Sequence, residues 1–302
     1  MRYELKEMNI GDILDLAVRL FRDHFLLFCS ISGVIFLPFF LFTGSIVGFE
    51  QMFDPTSGQP DFSSLPPSLI ITIVVLFVLS LLIYMFFWPL SNAAVTKAVA
   101  DCYLERSTSF RAAYRAVFHN FWKLATALLL FGVLLCAGIG IPVVIGSVII
   151  FFRVSPEMIS KLPGPIQAFP NLFTMFGILC FLLGIFLWIV FMFRYALLPV
   201  AVMVENKGGG AALKRSRELM KGNWFKLFIL WLVLGVAFGI ISAMCNFIPL
   251  MYLSVAVSAA FQVFSMTVWQ IIFVVLYFHA RCQKEAFDLE FLAKSIDAEA
   301  PL

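Results

Sequence analysis

Charge is what this sequence has least of. Only 13% of its 302 residues are Asp, Glu, Lys or Arg, whereas 62% are hydrophobic and 36 are Phe, more apolar surface than a soluble fold of this size can hide. That leaves an integral membrane protein with several spans. Close-spaced cysteine pairs are absent: Cys29, Cys102, Cys136, Cys180, Cys245 and Cys282 are scattered, which speaks against a disulfide framework or a thiolate metal site. Each reads as a small apolar residue. Histidine is sparse too, and His24, His119 and His279 all fall at the edges of apolar stretches, while no Asp or Glu falls near the centre of one. An intramembrane hydrolase needs a nucleophile with its base, or converging metal ligands. The sequence therefore predicts a protein that is not an enzyme, with no catalytic, cofactor-binding or metal-ligating residues and no cofactor. Gly208, Gly209 and Gly210 form a run, but no strand precedes it and no GK[ST] follows, so it reads as a flexible joint rather than a phosphate cradle. The first ten residues contain no short apolar region and no small-residue cleavage site, and no removable signal peptide is expected.

What the chain does have is six stretches long enough to cross the roughly 30 Å hydrocarbon core, which takes about 20 apolar residues. They run from Phe25 to Val47, Leu69 to Leu90, Phe121 to Phe151, Leu172 to Leu198, Trp224 to Ile248 and Leu250 to Phe278. An even number of spans puts both termini on one side. All of the 21 Lys and Arg residues except Arg153 and Lys161 share that side, and the connection holding Glu50, Asp54 and Asp61 carries no basic residue. Basic residues near span ends resist translocation, so both termini are expected in the cytoplasm of a prokaryotic cell, with the spans in its inner membrane.

The chain also repeats itself. Gly11 to Phe28, Ser107 to Leu124 and Gly210 to Leu227 align without gaps: Leu14, Phe110 and Leu213 share a column, as do Ala17, Ala113 and Ser216, then Phe21, Val117 and Met220. His24, Asn120 and Asn223 follow, and then the aromatics Phe25, Phe121 and Trp224. In each copy apolar residues recur at helical spacing against a charged face, the pattern of an interfacial amphipathic helix. Ser107, Thr108 and Ser109 offer an N-cap to the second. The predicted fold is all-α, with six transmembrane helices in three two-span repeats, each preceded by a cytoplasmic interfacial amphipathic helix. The units cover residues of about 10–104, 105–207 and 208–292 within one membrane domain, 293–302 forming a flexible tail. Because all three enter from the same side, a pseudo-threefold axis along the membrane normal relates them.

Arg19, Arg22, Arg111, Arg115, Lys123, Lys214, Arg215, Lys221 and Lys226 are placed to contact anionic lipid headgroups of the cytoplasmic leaflet. Arg194 is the one cation at risk of lying inside the hydrocarbon, where it would mark a functional site; the alternative is that it snorkels to the headgroups. Gly138, Gly140 and Pro142 predict a kink or break in the long third span. Gly235 and Gly239 form a GxxxG pattern, read as packing inside the protein or as an oligomer face.

Three segments carry a resemblance: Ile10-Gly-Asp-Ile-Leu-Asp-Leu-Ala-Val-Arg-Leu-Phe-Arg-Asp-His-Phe25, Ala211-Ala-Leu-Lys-Arg-Ser-Arg-Glu-Leu-Met-Lys-Gly-Asn-Trp-Phe-Lys-Leu227 and Tyr277-Phe-His-Ala-Arg-Cys-Gln-Lys-Glu-Ala-Phe-Asp-Leu-Glu-Phe-Leu292. Together they resemble six-span prokaryotic membrane proteins, among them the membrane domain ahead of some glycerophosphoryl diester phosphodiesterases and related inner-membrane proteins of unknown function. The resemblance implies location and architecture. The phosphodiesterase chemistry of such proteins resides in a separate soluble domain, so no catalytic residue carries over. Ala286 stands where such proteins often have Gly. The expected function is that of a scaffold, anchor or lipid-organising subunit of a membrane assembly, with membrane lipids, other membrane proteins or further copies of itself as partners and no nucleic acid. The alternative is a transporter or lipid-handling channel whose passage between the units is lined by residues such as Asn246, Ser254, Ser258 and Gln262.

Overall fold

The computed structural model describes residues 8–50, 67–154, 170–247 and 250–287. The connections expected at 49–67 and 153–170, except for their edges, and the tail at 293–302 lie outside them. All regular structure in the described residues is helical: α1 (Ile10–Asp23), α2 (Phe25–Glu50), α3 (Pro67–Tyr103), α4 (Phe110–His119), α5 (Phe121–Leu135), a π-helical turn at Cys136–Gly140, α6 (Ile141–Val154), α7 (Pro170–Arg194), α8 (Leu198–Glu205), α9 (Gly209–Met220), α10 (Trp224–Asn246) and α11 (Met251–Glu285). Six stretches are long and apolar enough to cross a membrane, one for each expected span. The chain is a multi-pass membrane protein.

The returning helices are longer than a crossing needs. α3 has 37 residues and α11 has 35, so at 1.5 Å per residue each is about 50–55 Å long, against a hydrocarbon core of about 30 Å. The third is α7 continued by α8. It breaks at residues 195–197, after Arg194, and α8 restarts with Pro199 in its first turn, where a missing N–H costs nothing.

The overshooting ends of these three helices pack on one another and form the core. Ala93, Ala94, Ala98 and Val99 of α3, Val200, Ala201 and Val202 of α8, and Val274, Val275 and Phe278 of α11 are completely buried there. The small side chains let the backbones approach closely. Helices α1, α4 and α9 close the core from outside: α1 lies on α11, α4 on α3, and α9 on α8 and α5. Their apolar stripes, Ile13, Ala17 and Leu20, then Ala113 and Val117, then Ala212, Leu213, Leu219 and Met220, are buried against the protein's own helices.

Each of these three helices ends at an elbow. His24, Asn120 and Asn223 donate their backbone N–H to the preceding turn, and their carbonyls accept from Phe28, Leu124 and Leu227 at 3.0–3.2 Å, opening the next helix. The expected cap is present, with Ser109 Oγ accepting from Ala112 N at 3.3 Å. A second cap had no counterpart in the expectation: Asp12 Oδ2 accepts from Asn9 N at 3.0 Å at the start of α1.

Away from the core the spans turn apolar side chains outward, among them Trp122, Leu129, Phe186 and Ile240. Hydroxyl and amide pairs join helices inside, at the core end as well as between the spans. Ser32 and Thr267 are 2.7 Å apart, Thr96 Oγ1 donates to Gln270 Oε1 at 3.0 Å, Gln270 Nε2 donates to Asn92 Oδ1 at 3.2 Å, and Ser45 meets Ser80 at 3.0 Å. Such bonds contribute roughly 0.6 kcal/mol each between spans. The break expected near Gly138, Gly140 and Pro142 takes the form of the π turn, because Pro142 has no N–H to donate to the carbonyl four residues back. The GxxxG is a correction: Gly235 and Gly239 are exposed, and a Cβ at either meets nothing within 4 Å, so they do not pack inside the protein. Gly208, Gly209 and Gly210 form the N-cap and first turn of α9.

The close crossing occurs instead between α6 and α7. A Cβ on Gly146 would lie 2.8 Å from the carbonyl oxygen of Gly177 and 3.2 Å from the nitrogen of Phe181. Gly146→Leu is expected to lower thermal stability in detergent by about 1–3 kcal/mol through overpacking, whereas Gly132→Ala, in open space within α5, raises helix propensity by roughly 0.5–1 kcal/mol. Parallel unfolding scans of the two variants check this.

Candidate functional site

The charged chemistry of the described residues gathers where the return helices overshoot. Glu205 closes α8, the last residue of an apolar run, and three groups reach its carboxylate. Tyr277 of α11 donates its hydroxyl to Oε1 at 2.6 Å, Arg215 Nε of α9 donates to the same oxygen at 2.7 Å, and Lys207 Nζ lies 2.6 Å from Oε2. Tyr277 itself is completely buried. Arg215 then reaches α11, its guanidinium forked on Glu285, with Nη1 on Oε1 and Nη2 2.8 Å from Oε2. Arg281 completes the chain at 3.0 Å from Glu285 while stacking 3.9 Å from the centre of the Phe287 ring. The hydrogen bonds from Arg215 to Glu285 and Glu205 outweigh its desolvation and hold its guanidinium above its ordinary value. It stays charged at every working pH. Lys284, one residue before Glu285, points its ammonium at the last carbonyls of α9, those of Glu218, Leu219 and Lys221. That cation neutralises the negative end of the α9 dipole.

A second node ties the N-terminal segment to the core. His279, 1% exposed, accepts from Met8 N on Nδ1 at 2.9 Å, and its Nε2 lies 2.8 Å from Lys226 Nζ of α10. Lys226 also donates to the Met8 carbonyl at 3.4 Å. The sequence places His279 at a solvated edge; the structure buries and bonds it, because the overshooting end of α11 is core. His24 is half-buried and His119 exposed.

The expected headgroup-contact residues divide. Arg19, Arg22, Arg111, Arg115, Lys214 and Lys221 are exposed around the core. Lys123 is also exposed, its Nζ donating to Asn206 Oδ1 at 2.8 Å. Arg215 and Lys226 turn inward, the first onto two carboxylates and the second onto His279. Neither arrangement leaves a signal in the local sequence, since Arg215 and Glu285 are 70 positions apart and Lys226 and His279 are 53 apart. Among the described residues no group of three His, Cys, Asp or Glu side chains converges to hold a metal ion.

Arg194 stands at the last residue of α7, half-buried, and its carbonyl accepts from Ser216 Oγ of α9 at 3.4 Å. Its surroundings form a pocket of about 760 Å³ between the end of α7, the end of α9 and the start of α10. Arg217 and Lys221 line the same pocket, which brings Arg194 together with two cations that belong to the segment between spans. Gly222 forms part of the wall with φ +90°, a left-handed turn that glycine adopts without strain.

The node predicts its own energetics. Arg215→Gln leaves Glu205 and Glu285, with side chains 11% and 32% exposed, without their common cation, and destabilisation of about 3 kcal/mol is expected. Glu285→Gln in the Arg215→Gln background costs less than it does alone, a coupling read from a double-mutant cycle of unfolding midpoints. Ala286 ends α11 in the left-handed region at φ 50°, ψ 40°, which costs a non-glycine residue roughly 1 kcal/mol. Ala286→Gly is therefore expected to raise stability by about that amount in the same scans.

No curated protein and no solved structure matches this chain. A family model does, over residues 14–278, from the first turns of α1 to the core end of α11 and so across all six spans. The chain belongs to the family described as a domain of unknown function, DUF7847.

Proposed function

We propose that this chain is a non-enzymatic protein of the prokaryotic inner membrane that organises anionic lipid on the cytoplasmic leaflet and anchors an assembly there. Its kin are the membrane domains that its sequence resembles. Both termini lie in the cytoplasm, the side that holds the packed core and nearly all the cations. The observation that carries the reading is the division between buried and exposed positions at that end. Arg19, Arg22, Arg111, Arg115 and Lys214 face outward, and Phe25, Trp122 and Phe225, at the starts of α2, α5 and α10, are exposed at 48%, 78% and 55%. Cations flanked by exposed aromatics suit a headgroup boundary, where each Lys or Arg is worth about 1 kcal/mol near an anionic surface.

The internal repeat gives that face its form. Three aligned columns are buried throughout: Ala17, Ala113 and Ser216; Phe28, Leu124 and Leu227; Ile31, Ala127 and Leu230. Each amphipathic helix lies on the return helix of the unit before it, α4 on α3, α9 on α8 and, closing the cycle, α1 on α11. These relations support three hairpin units about a pseudo-threefold axis, presenting three cationic edges to one leaflet. The filled junction of α3, α8 and α11 favours this over a passage between the units. Of the residues that would line one, Ser254 spends its hydroxyl on the Cys245 carbonyl at 3.1 Å.

Full-length protein in mixed phosphatidylglycerol and phosphatidylcholine nanodiscs is expected to enrich the anionic lipid around itself, and the enrichment falls in high salt as surface charges are screened. The variant R19Q/R22Q/R111Q/R115Q loses most of it. Equal amounts of the two lipids around the unaltered protein would overturn the proposal.

A further inference from the structure

The pocket beside Arg194 differs in kind from the cationic edges. It is concave, its lining includes aromatic side chains, and its cations come from two helices and the turn between spans. Phe193 meets Phe228 edge to face, with centroids 5.8 Å apart, and Trp224 also lines the pocket. Arg194, Arg217 and Lys221 line the same pocket, and no acidic residue lines it among the described residues. The described ion pairs involve none of the three cations. The end of α9 would normally oppose an anion here, because its last carbonyls carry the negative pole of the helix. Lys284 removes that obstacle by holding the carbonyls of Glu218, Leu219 and Lys221.

Three cations that no described ion pair engages, sharing a pocket with aromatic side chains at the end of a span, complement one kind of molecule: an anion with an apolar tail. Basic pockets between spans on the cytoplasmic side hold phospholipid headgroups in this way, and a volume of about 760 Å³ is within the usual range for ligand sites of roughly 300–1,000 Å³. We propose that the pocket between α7, α9 and α10 is a built site for one anionic phospholipid. Arg194, Arg217 and Lys221 hold the phosphate, and the acyl chains run along Phe193, Phe228 and Trp224. The inference deepens the proposed lipid-organising role by adding a single stoichiometric site to a diffuse cationic face.

Native mass spectrometry of the full chain, released from detergent containing phosphatidylglycerol, reads the site directly. One phosphatidylglycerol adduct is expected to survive activation that strips the others, with no such adduct in phosphatidylcholine. Glycerol phosphate in excess does not displace it, since it lacks the apolar part. R194Q/R217Q/K221Q lowers occupancy at least tenfold, and V190W, which fills the pocket without altering charge, does the same. R19Q/R22Q/R111Q/R115Q keeps the adduct. Retention of the adduct by the triple variant or by V190W, or an equal adduct with phosphatidylcholine, would overturn the site. Displacement by glycerol phosphate would reassign it to a soluble phosphate ester. Loss of nanodisc enrichment with the adduct intact would instead remove the diffuse face and leave the site standing.

Discussion

Burial of apolar surface is favourable only where the alternative is water, at roughly 25 cal/mol per Å², and between helices already in lipid that driving force vanishes. The architecture follows from this asymmetry. Three return helices extend beyond what a crossing requires, and the ends of α3, α8 and α11 pack on one another with Ala and Val at the contacts. The remaining apolar surface of those ends is covered by α1, α4 and α9. These three helices thus serve first as a jacket for the core, and their outward faces are free to carry charge. Toward the other end the helices keep apolar side chains outward and are joined by hydroxyl pairs and by the Gly146 crossing, where hydrogen bonds and close packing replace the hydrophobic effect.

Electrostatics at the core end separates cations into two roles. Glu205 and Glu285 draw Arg215 inward and, with Tyr277 and Arg281, join α8, α9 and α11. Lys226 goes to His279 and Lys284 to the end of α9. Two acids and a buried imidazole thereby fix the geometry of the jacket, and the cations left outside them face outward or into the pocket beside Arg194. The same helix, α9, serves both roles: Arg215 points to the core, while Arg217 lines the pocket.

Spans were legible in the sequence because length and apolarity suffice to define them, and the helices before them because a period of 3.6 residues is visible in Ile13, Ala17 and Leu20 or in Ala212, Ser216 and Leu219. The Ser109 cap and the break near Pro142 were legible for local reasons as well, each resting on residues a turn apart. What was not legible is what depends on tertiary approach. Arg215 and Arg217 stand on opposite flanks of one apolar stripe, and it takes the arrival of Glu285 from 70 residues away to show which of them turns to the core. His279 looks like an interfacial residue until the end of α11 is seen to be core. Gly235 and Gly239 carry a packing pattern but face outward, whereas Gly146, with no pattern around it, makes the tight crossing with Gly177.

The central claim is that the packed core and the cationic edges share one side of the membrane, with the two long connections on the other. Single cysteines at positions 54, 161, 19, 111 and 214, introduced into a chain whose six native cysteines are replaced, can be labelled with a membrane-impermeant maleimide in intact cells. Labelling at 54 and 161 from outside, and at 19, 111 and 214 only after permeabilisation, is the predicted result. External labelling at 19, 111 or 214, or protection of 54 and 161 until the cells are opened, would contradict the account.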